Sequence, residues 1–252
     1  MKKVKSIILA LSVALFISSC TTQHYAVKSV EVTRILADTA LDAAAGREMT
    51  ALVNSYKMKM DEEMKVVIGK AAREMHKGMP QGLLSNFAAD AVRAYSTQLW
   101  GEIDFAVLNN GGMRTNLNEG LITVGSVYEI FPFENTLVML ELPGKAVREF
   151  FNFVANNRGE ALSDNIELVI KDRKTASLKI GGKPLDESKT YKVATIDYLA
   201  EGNDRMTALT KASVSVPTDI LLRDVIISYI KQLTSKNQLV DAKLDNRITI
   251  EE

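Results

Sequence analysis

Between residues 64 and 250, short apolar runs and longer amphipathic runs follow one another in irregular order. No other feature constrains the fold as much. Strands are predicted at residues 64–68, 103–108, 136–141, 166–170, 176–180, 191–196 and 247–250, each a short run rich in aliphatic residues. A looser alternation through Val27, Val30 and Val32 adds a strand at 25–34. Helices are predicted at 38–60, with Gly46 as a candidate break, and at 83–100. In the second of these Leu84, Phe87, Ala88, Ala91, Tyr95 and Leu99 share one face. A short helix at 124–130 stops ahead of Pro132, and another opens at Pro143-Gly144 and lasts to about Ala155. A last helix is expected from Pro217 to Leu233, its apolar face made by Leu221, Leu222, Val225, Ile226, Tyr229 and Ile230. The segments at 166–170 and 176–180 form a hairpin around a charged turn, and Gly181-Gly182 turns the chain again. Because strands and helices do not alternate strictly, the expected architecture is α+β (mixed α/β). That is a single domain with a mixed β-sheet flanked by helices, over residues 25–252.

Charge and cysteine usage narrow the function. Lys plus Arg equals Asp plus Glu at 31 each. Residues 1–19 carry three lysines and no acid, so the remainder of the chain has 28 basic against 31 acidic residues, a formal charge of −3. No positive field would recruit nucleic acid. The single cysteine, Cys20, comes after a basic start (Lys2, Lys3, Lys5), an apolar run at 7–17 and Ser18-Ser19. The run is too short for a comfortable membrane span and has the length of a signal-peptide core. Small residues before a cysteine resemble a bacterial lipobox, which makes residues 1–19 a signal peptide, Cys20 the lipidated residue and 20–24 a tether. An ordinary signal with a chance cysteine is the alternative. One cysteine and two histidines leave no material for a zinc cluster, an iron–sulfur centre or an internal disulfide.

Two segments carry the candidate chemistry. In the first, the strand at 103–108 runs into Asn109-Asn110-Gly111-Gly112, then Arg114, and nineteen residues after that Phe133-Glu134-Asn135. Paired glycines after a strand allow positive φ and close approach of a ligand to the backbone. In the second, the strand at 191–196 leads to Asp197, Tyr198, Gly202 and Asp204. Two aromatics, an amide, a guanidinium and a carboxylate on strand-end loops suit a flat polar ligand. Aromatic faces stack on a ring, an amide reads its edge, and charged groups bond hydroxyls. The alternative is that Phe133 and Tyr198 are core aromatics and Arg114 belongs to a surface ion pair.

These residues resemble the C-terminal domain of the bacterial 5′-nucleotidase and UDP-sugar hydrolase family. The resemblance rests on Asn110-Gly-Gly-Met-Arg114, Glu119-Gly-Leu-Ile-Thr123, Pro132-Phe-Glu-Asn135, Leu142-Pro-Gly-Lys145 and Tyr191-Lys-Val-Ala-Thr195, in order, across about residues 64 to 250. It implies that Phe133 and Tyr198 sandwich a base and that Asn135 bonds the base edge. It further implies that Arg114 and Asp204 hold the ribose or neighbouring atoms, with Asn110, Gly111, Gly112 and Gly202 also among the substrate-binding residues. Ser85 and Asn86 would lie where a nucleotide-binding loop touches the 83–100 helix. Two departures stand out. The family's glycine–glycine–aspartate–glycine–aromatic loop is here Gly202-Asn203-Asp204-Arg205-Met206. Its extra arginines upstream of Asn86 have no match, since Lys77 and Gln81 stand there.

The family's hydrolysis is done by an N-terminal metallophosphatase domain whose two metal ions need several His, Asp and Asn ligands. The present sequence has His24 and His76 alone, and no Asp-x-His or Gly-Asn-His run. No residue here earns a catalytic role, and no cofactor is expected in this chain; divalent metals belong to a partner. The expected function is the nucleotide- or nucleoside-binding half of a split periplasmic 5′-nucleotidase, completed by a separate metallophosphatase chain. Lipid at Cys20 would hold it on a periplasm-facing membrane of the bacterial envelope. A non-catalytic nucleotide- or nucleoside-binding lipoprotein is the alternative.

Overall fold

Helix and strand bounds follow from local signals along most of the chain. The computed structural model describes residues 25–34 and 46–251. The expected signal segment, Cys20, the tether to His24 and the start of the 38–60 helix lie outside them. The chain divides into two units at Ala51/Leu52. Residues 25–34 have no regular structure, contrary to the expected strand. Val27, Val30 and Val32 are 81%, 73% and 86% exposed, so no burial offsets the entropy of ordering them. Helix α1 (Arg47–Met64) has no buried residue.

Strand β1 (Val67–Ala71) begins three residues later than expected, because α1 runs on to Met64. Helix α2 (Leu83–Trp100) has the predicted bounds. Its first turns are buried on all sides, including Ser85, Asn86 and Ala89, whereas Leu99 at the far end is 46% exposed. Strand β2 (Phe105–Leu108) is buried throughout and leads into a 3₁₀ turn at Asn110–Gly112. Strand β3 (Gly120–Thr123) pairs antiparallel with β1. Helix α3 (Val124–Ile130) starts where it does because of a reciprocal cap. Thr123 Oγ1 accepts the Ser126 N–H and Ser126 Oγ accepts the Thr123 N–H, each at 3.2 Å.

Strand β4 (Thr136–Pro143) hands over directly to α4 (Gly144–Asn156). Gly144 is required at that junction, since a Cβ would lie 2.5 Å from the Asp186 carbonyl oxygen. Phe150 and Phe151 of α4 pack edge to face at 5.1 Å between centroids and close on Phe105 of β2. Strand β5 (Ala161–Leu162) is followed by the expected hairpin of β6 (Ile166–Lys171) and β7 (Lys174–Ile180). Its turn residues Asp172 and Arg173 have φ of 49° and 58°, as a two-residue turn with the right-handed strand twist demands. Strands β8 (Lys183–Pro184) and β9 (Thr190–Ile196) come next, then the single turn α5 (Asp197–Ala200).

Pro217 does not start a helix. It lies inside β10 (Val214–Leu221), and α6 (Leu222–Ser235) begins five residues later. Strand β10 is the outer strand of its sheet, where proline's missing N–H breaks no inner ladder, and the pairing with β4 slips between Pro217 and Leu221. Leu221 is therefore the last strand residue, while Leu222, Val225, Ile226 and Ile230 are buried as expected. Strand β11 (Ile248–Glu251) pairs parallel with β6.

The central sheet runs β10-β4-β9-β2-β5, with β2 and β9 parallel and all other neighbours antiparallel. It is a mixed sheet flanked by helices, as expected. A second sheet runs β11-β6-β7-β8. Strand order in the central sheet brings distant loops to one edge. Because β2 and β9 are parallel neighbours, their carboxyl ends open there together. Strand β4 runs opposite to β9, with Leu137 beside Ile196, so its amino end opens at the same place. Leu221 pairs with Thr136, which adds the start of α6 to that edge.

Candidate functional site

Three loops leave this edge and enclose one cleft of about 290 Å³. Gly111, Gly112 and Arg114 come from the turn after β2, Phe133 and Asn135 from the loop before β4, and Tyr198 and Asp204 from the segment after β9. All seven are sequence-predicted site residues, separated by up to 93 positions. Phe133 and Tyr198 are 48% and 39% exposed, so neither is a core aromatic. Among the described residues Arg114 has no ion-pair partner: its Cζ lies 5.9 Å from the Phe133 ring centroid and its Nη1 donates to the Gly111 carbonyl at 3.4 Å.

Asp204 is the most tightly oriented polar group of the cleft. Tyr198 Oη donates to its Oδ1 at 2.9 Å and Asn109 Nδ2 to its Oδ2 at 2.6 Å. The hydrogen bond from Tyr198 to the carboxylate holds the phenol above its ordinary range. Asp204 adopts φ 52°, a left-handed conformation open to Asp at modest cost. At the other loop, the Leu222 N–H donates to the Asn135 carbonyl at 2.9 Å, and Thr136 Oγ1 donates to Asp197 Oδ2 at 3.0 Å.

Two predicted residues do not line the cleft. Asn110 turns its side chain away, where Oδ1 accepts the Ser85 hydroxyl at 2.5 Å and Nδ2 faces Met79 Sδ at 3.7 Å. Gly202 is not among the lining residues; it has φ 84°, and a Cβ there would meet Thr210 at 2.8 Å. Lys77 Nζ is held by the Met113 carbonyl at 2.6 Å, and Asn86 Nδ2 donates to Gln81 and to the Lys243 carbonyl.

The sequence pattern of the 5′-nucleotidase C-terminal domain matches residues 63–211 of this chain, more than half of it. The chain belongs to that family. It is 29% identical over 205 residues to Protein UshA of Escherichia coli (strain K12), covering 76% of this chain and 36% of that protein. It is 28% identical over 180 residues to Cell wall protein Lmo0130 of Listeria monocytogenes serovar 1/2a, covering 65% of this chain and 23% of that protein. The fold superposes on the 5′-nucleotidase precursor from Thermus thermophilus with a TM-score of 0.69 and 27% identity, covering 83% of this chain and 44% of that one. The chain therefore spans less than half the length of these relatives.

Within the family framework, the loop after β9 shows what its lost glycines do. Arg205 stands where the resemblance has a glycine and carries φ 64°, a conformation that costs an ordinary side chain about 1–2 kcal/mol. Two further residues escape a reading of the sequence. Asn109, directly ahead of the glycine turn, is buried and fixes Asp204; a Cβ on Gly112 would lie 2.9 Å from its Oδ1, which explains that glycine. Glu160 is fifty residues from the turn it supports, and nothing local marks it. Its Oε2 accepts the Asn110 N–H at 3.0 Å.

Burial, the largest cause, together with the Asp204 charge raises the Glu160 carboxyl from 4.5 to about 7, against the Asn110 and Ala161 N–H groups. The folded chain thus binds this proton more tightly than the unfolded chain. The carboxyl carries no penalty below the unfolded value, and stability is lost as pH rises toward 7. At about 1.4 kcal/mol per unit, discounted for partial solvent access, the loss is about 2 kcal/mol. Glu160→Gln keeps the acceptor for Asn110 without the charge. It is expected to match the parent chain near pH 4.5 and to exceed it by about 2 kcal/mol at pH 8 in urea unfolding. Equal stabilities at both pH values would refute this.

Among the described residues the remaining donors do not gather into a two-metal centre. His76 lies at the surface with Nε2 3.3 Å from Glu74, and His24 is outside the described residues. Among the described residues no group of three or more His, Cys, Asp or Glu side chains is placed to hold a metal ion.

Proposed function

We propose that this domain binds a nucleoside or nucleotide by its base and ribose, with Phe133 and Tyr198 on the two faces of the base. Asn135 meets the base edge, and Asp204, oriented by Asn109 and Tyr198, accepts hydrogen bonds from ribose hydroxyls. Arg114 lies beside the Phe133 ring, at the charged margin of the cleft. The observation that carries this reading is the convergence of two half-exposed aromatics, an amide, a guanidinium and a fixed carboxylate on one cleft from three strand ends. A protein core would bury such aromatics, and a solvated surface would not gather them.

Hydrolysis is completed, in this reading, by a separate metallophosphatase chain that brings its own divalent metals. The domain serves that enzyme at the bacterial envelope, anchored by lipid at Cys20 on a periplasm-facing membrane. The similarity to a cell wall protein supports an envelope location. Calorimetric titration with adenosine, uridine and AMP tests the binding, and failure of all three at millimolar concentration overturns it. The purified chain is expected to leave AMP intact with added divalent metal, and to raise turnover when a cognate metallophosphatase is supplied. A metallophosphatase indifferent to saturating amounts of this chain would leave the non-catalytic binding lipoprotein as the surviving reading.

A further inference from the structure

Glu134 stands between two cleft residues, Phe133 and Asn135, and is itself no part of the lining. Its side chain is 82% exposed, yet its Oε1 accepts from Arg223 Nη2 at 3.1 Å. Arg223 is the opposite case, a side chain with 9% exposure at the second position of α6. Its Cζ lies over the Tyr128 ring, 4.6 Å from the centroid, a cation–π contact. Its Nε is buried with no hydrogen-bond partner among the described residues. A desolvated cation with an unpaired donor is poorly explained by fold stability, because an apolar side chain of the same volume commonly does as well or better there. Its bonded partner is the residue between the two cleft groups. The preceding residue, Leu222, holds the Asn135 carbonyl from the same helix start.

We propose that Arg223 is a positioning residue for the cleft: through Glu134 it latches the loop before β4, so that Phe133 and Asn135 are already in place when a ligand arrives. The α6 amino end then grips this loop at two consecutive residues, once by a backbone amide and once by a guanidinium. The part of this proposal that concerns affinity rests on the nucleoside-binding reading; the part that concerns the loop does not. Preorganisation of this kind shows in affinity, since loop order otherwise has to be supplied on binding.

The test uses the full chain, with adenosine as the probe and amide exchange at Leu222 and Phe133–Asn135 as a ligand-free readout. Glu134→Ala is expected to bind adenosine about fivefold more weakly, with faster exchange at those amides and an unchanged melting temperature. Glu134→Gln keeps an acceptor for Arg223 and is expected to recover most of the affinity, which a merely structural role would not do. Arg223→Met keeps the stem under Tyr128 and is expected to match Glu134→Ala; if it fails to fold, the Glu134 pair still decides. Unchanged affinity and unchanged exchange in Glu134→Ala would overturn the latch. If the parent chain binds no adenosine, the nucleoside reading has failed, and the exchange rates alone decide the latch: faster in Glu134→Ala upholds it, unchanged overturns it.

Discussion

Phe133→Ala and Tyr198→Ala are each expected to weaken adenosine binding about tenfold, and the double variant about a hundredfold. Stacking a base on an aromatic side chain is worth about 1–3 kcal/mol, and each factor of ten in affinity is about 1.4 kcal/mol. The two rings come from different loops and, in the proposed binding mode, meet different faces of the base, so the losses should add. Neither ring is buried, at 48% and 39% exposure, and truncation opens no core cavity. The variants should therefore melt with the parent chain, whereas a buried Phe would cost about 3–5 kcal/mol. Tyr198→Phe separates ring from hydroxyl. It keeps the stacking face but removes one of the two donors that fix Asp204, so a loss of a few-fold is expected. Titrations beside thermal melts read both quantities. A double variant that binds like the parent, or one that binds weakly because it has unfolded, would remove the clamp.

Arg247→Met is expected to cost about 3–5 kcal/mol of folding stability, the range for removing one partner of a buried ion pair. Arg247 precedes β11 with a side chain 3% exposed. Its guanidinium takes both oxygens of Asp90 on α2, at 2.7 and 3.0 Å, and both oxygens of Asp245, at 2.8 and 2.7 Å. Its Nη1 also donates to the Leu162 carbonyl on β5 at 2.7 Å. One side chain thus ties α2, the β5 edge of the central sheet and the start of β11. Without it, two carboxylates face each other with no cation between them. For a domain of this size the melting temperature should fall by roughly 10 °C, while the folded fraction binds adenosine as before, since none of these residues lines the cleft. Adding Asp90→Asn and Asp245→Asn should return part of the loss by removing the stranded charges. A fall of less than about 1 kcal/mol for Arg247→Met would show that water replaces the network.

Where a signal is local, the sequence carries it to the residue. The bounds of α2 and α3 follow from an apolar stripe and from the Thr123–Ser126 cap, both set within a few positions. The β6–β7 hairpin and the β4–α4 junction are legible for the same reason. Pro217 misleads because proline marks a helix start and an outer strand equally well, and only the position of β10 in its sheet separates the two. The strand at 25–34 misleads because alternation describes a strand without supplying its neighbour.

The cleft divides in the same way. Residue types and spacings from Asn110 to Asn135 and from Tyr198 to Asp204, read with the family resemblance, identify seven of its lining residues from the sequence alone. The supporting residues Asn109, Glu160 and Arg223 carry no such mark. Their roles exist because sheet order brings the ends of β2, β9 and β4 and the start of α6 to one edge, and because a buried charge must take whichever partner the packing presents. Side-chain chemistry and periodicity act over a turn of chain and were determined by the sequence. Pairing across fifty to a hundred and fifty residues is chosen by the packed sheets, and only the tertiary structure decided it.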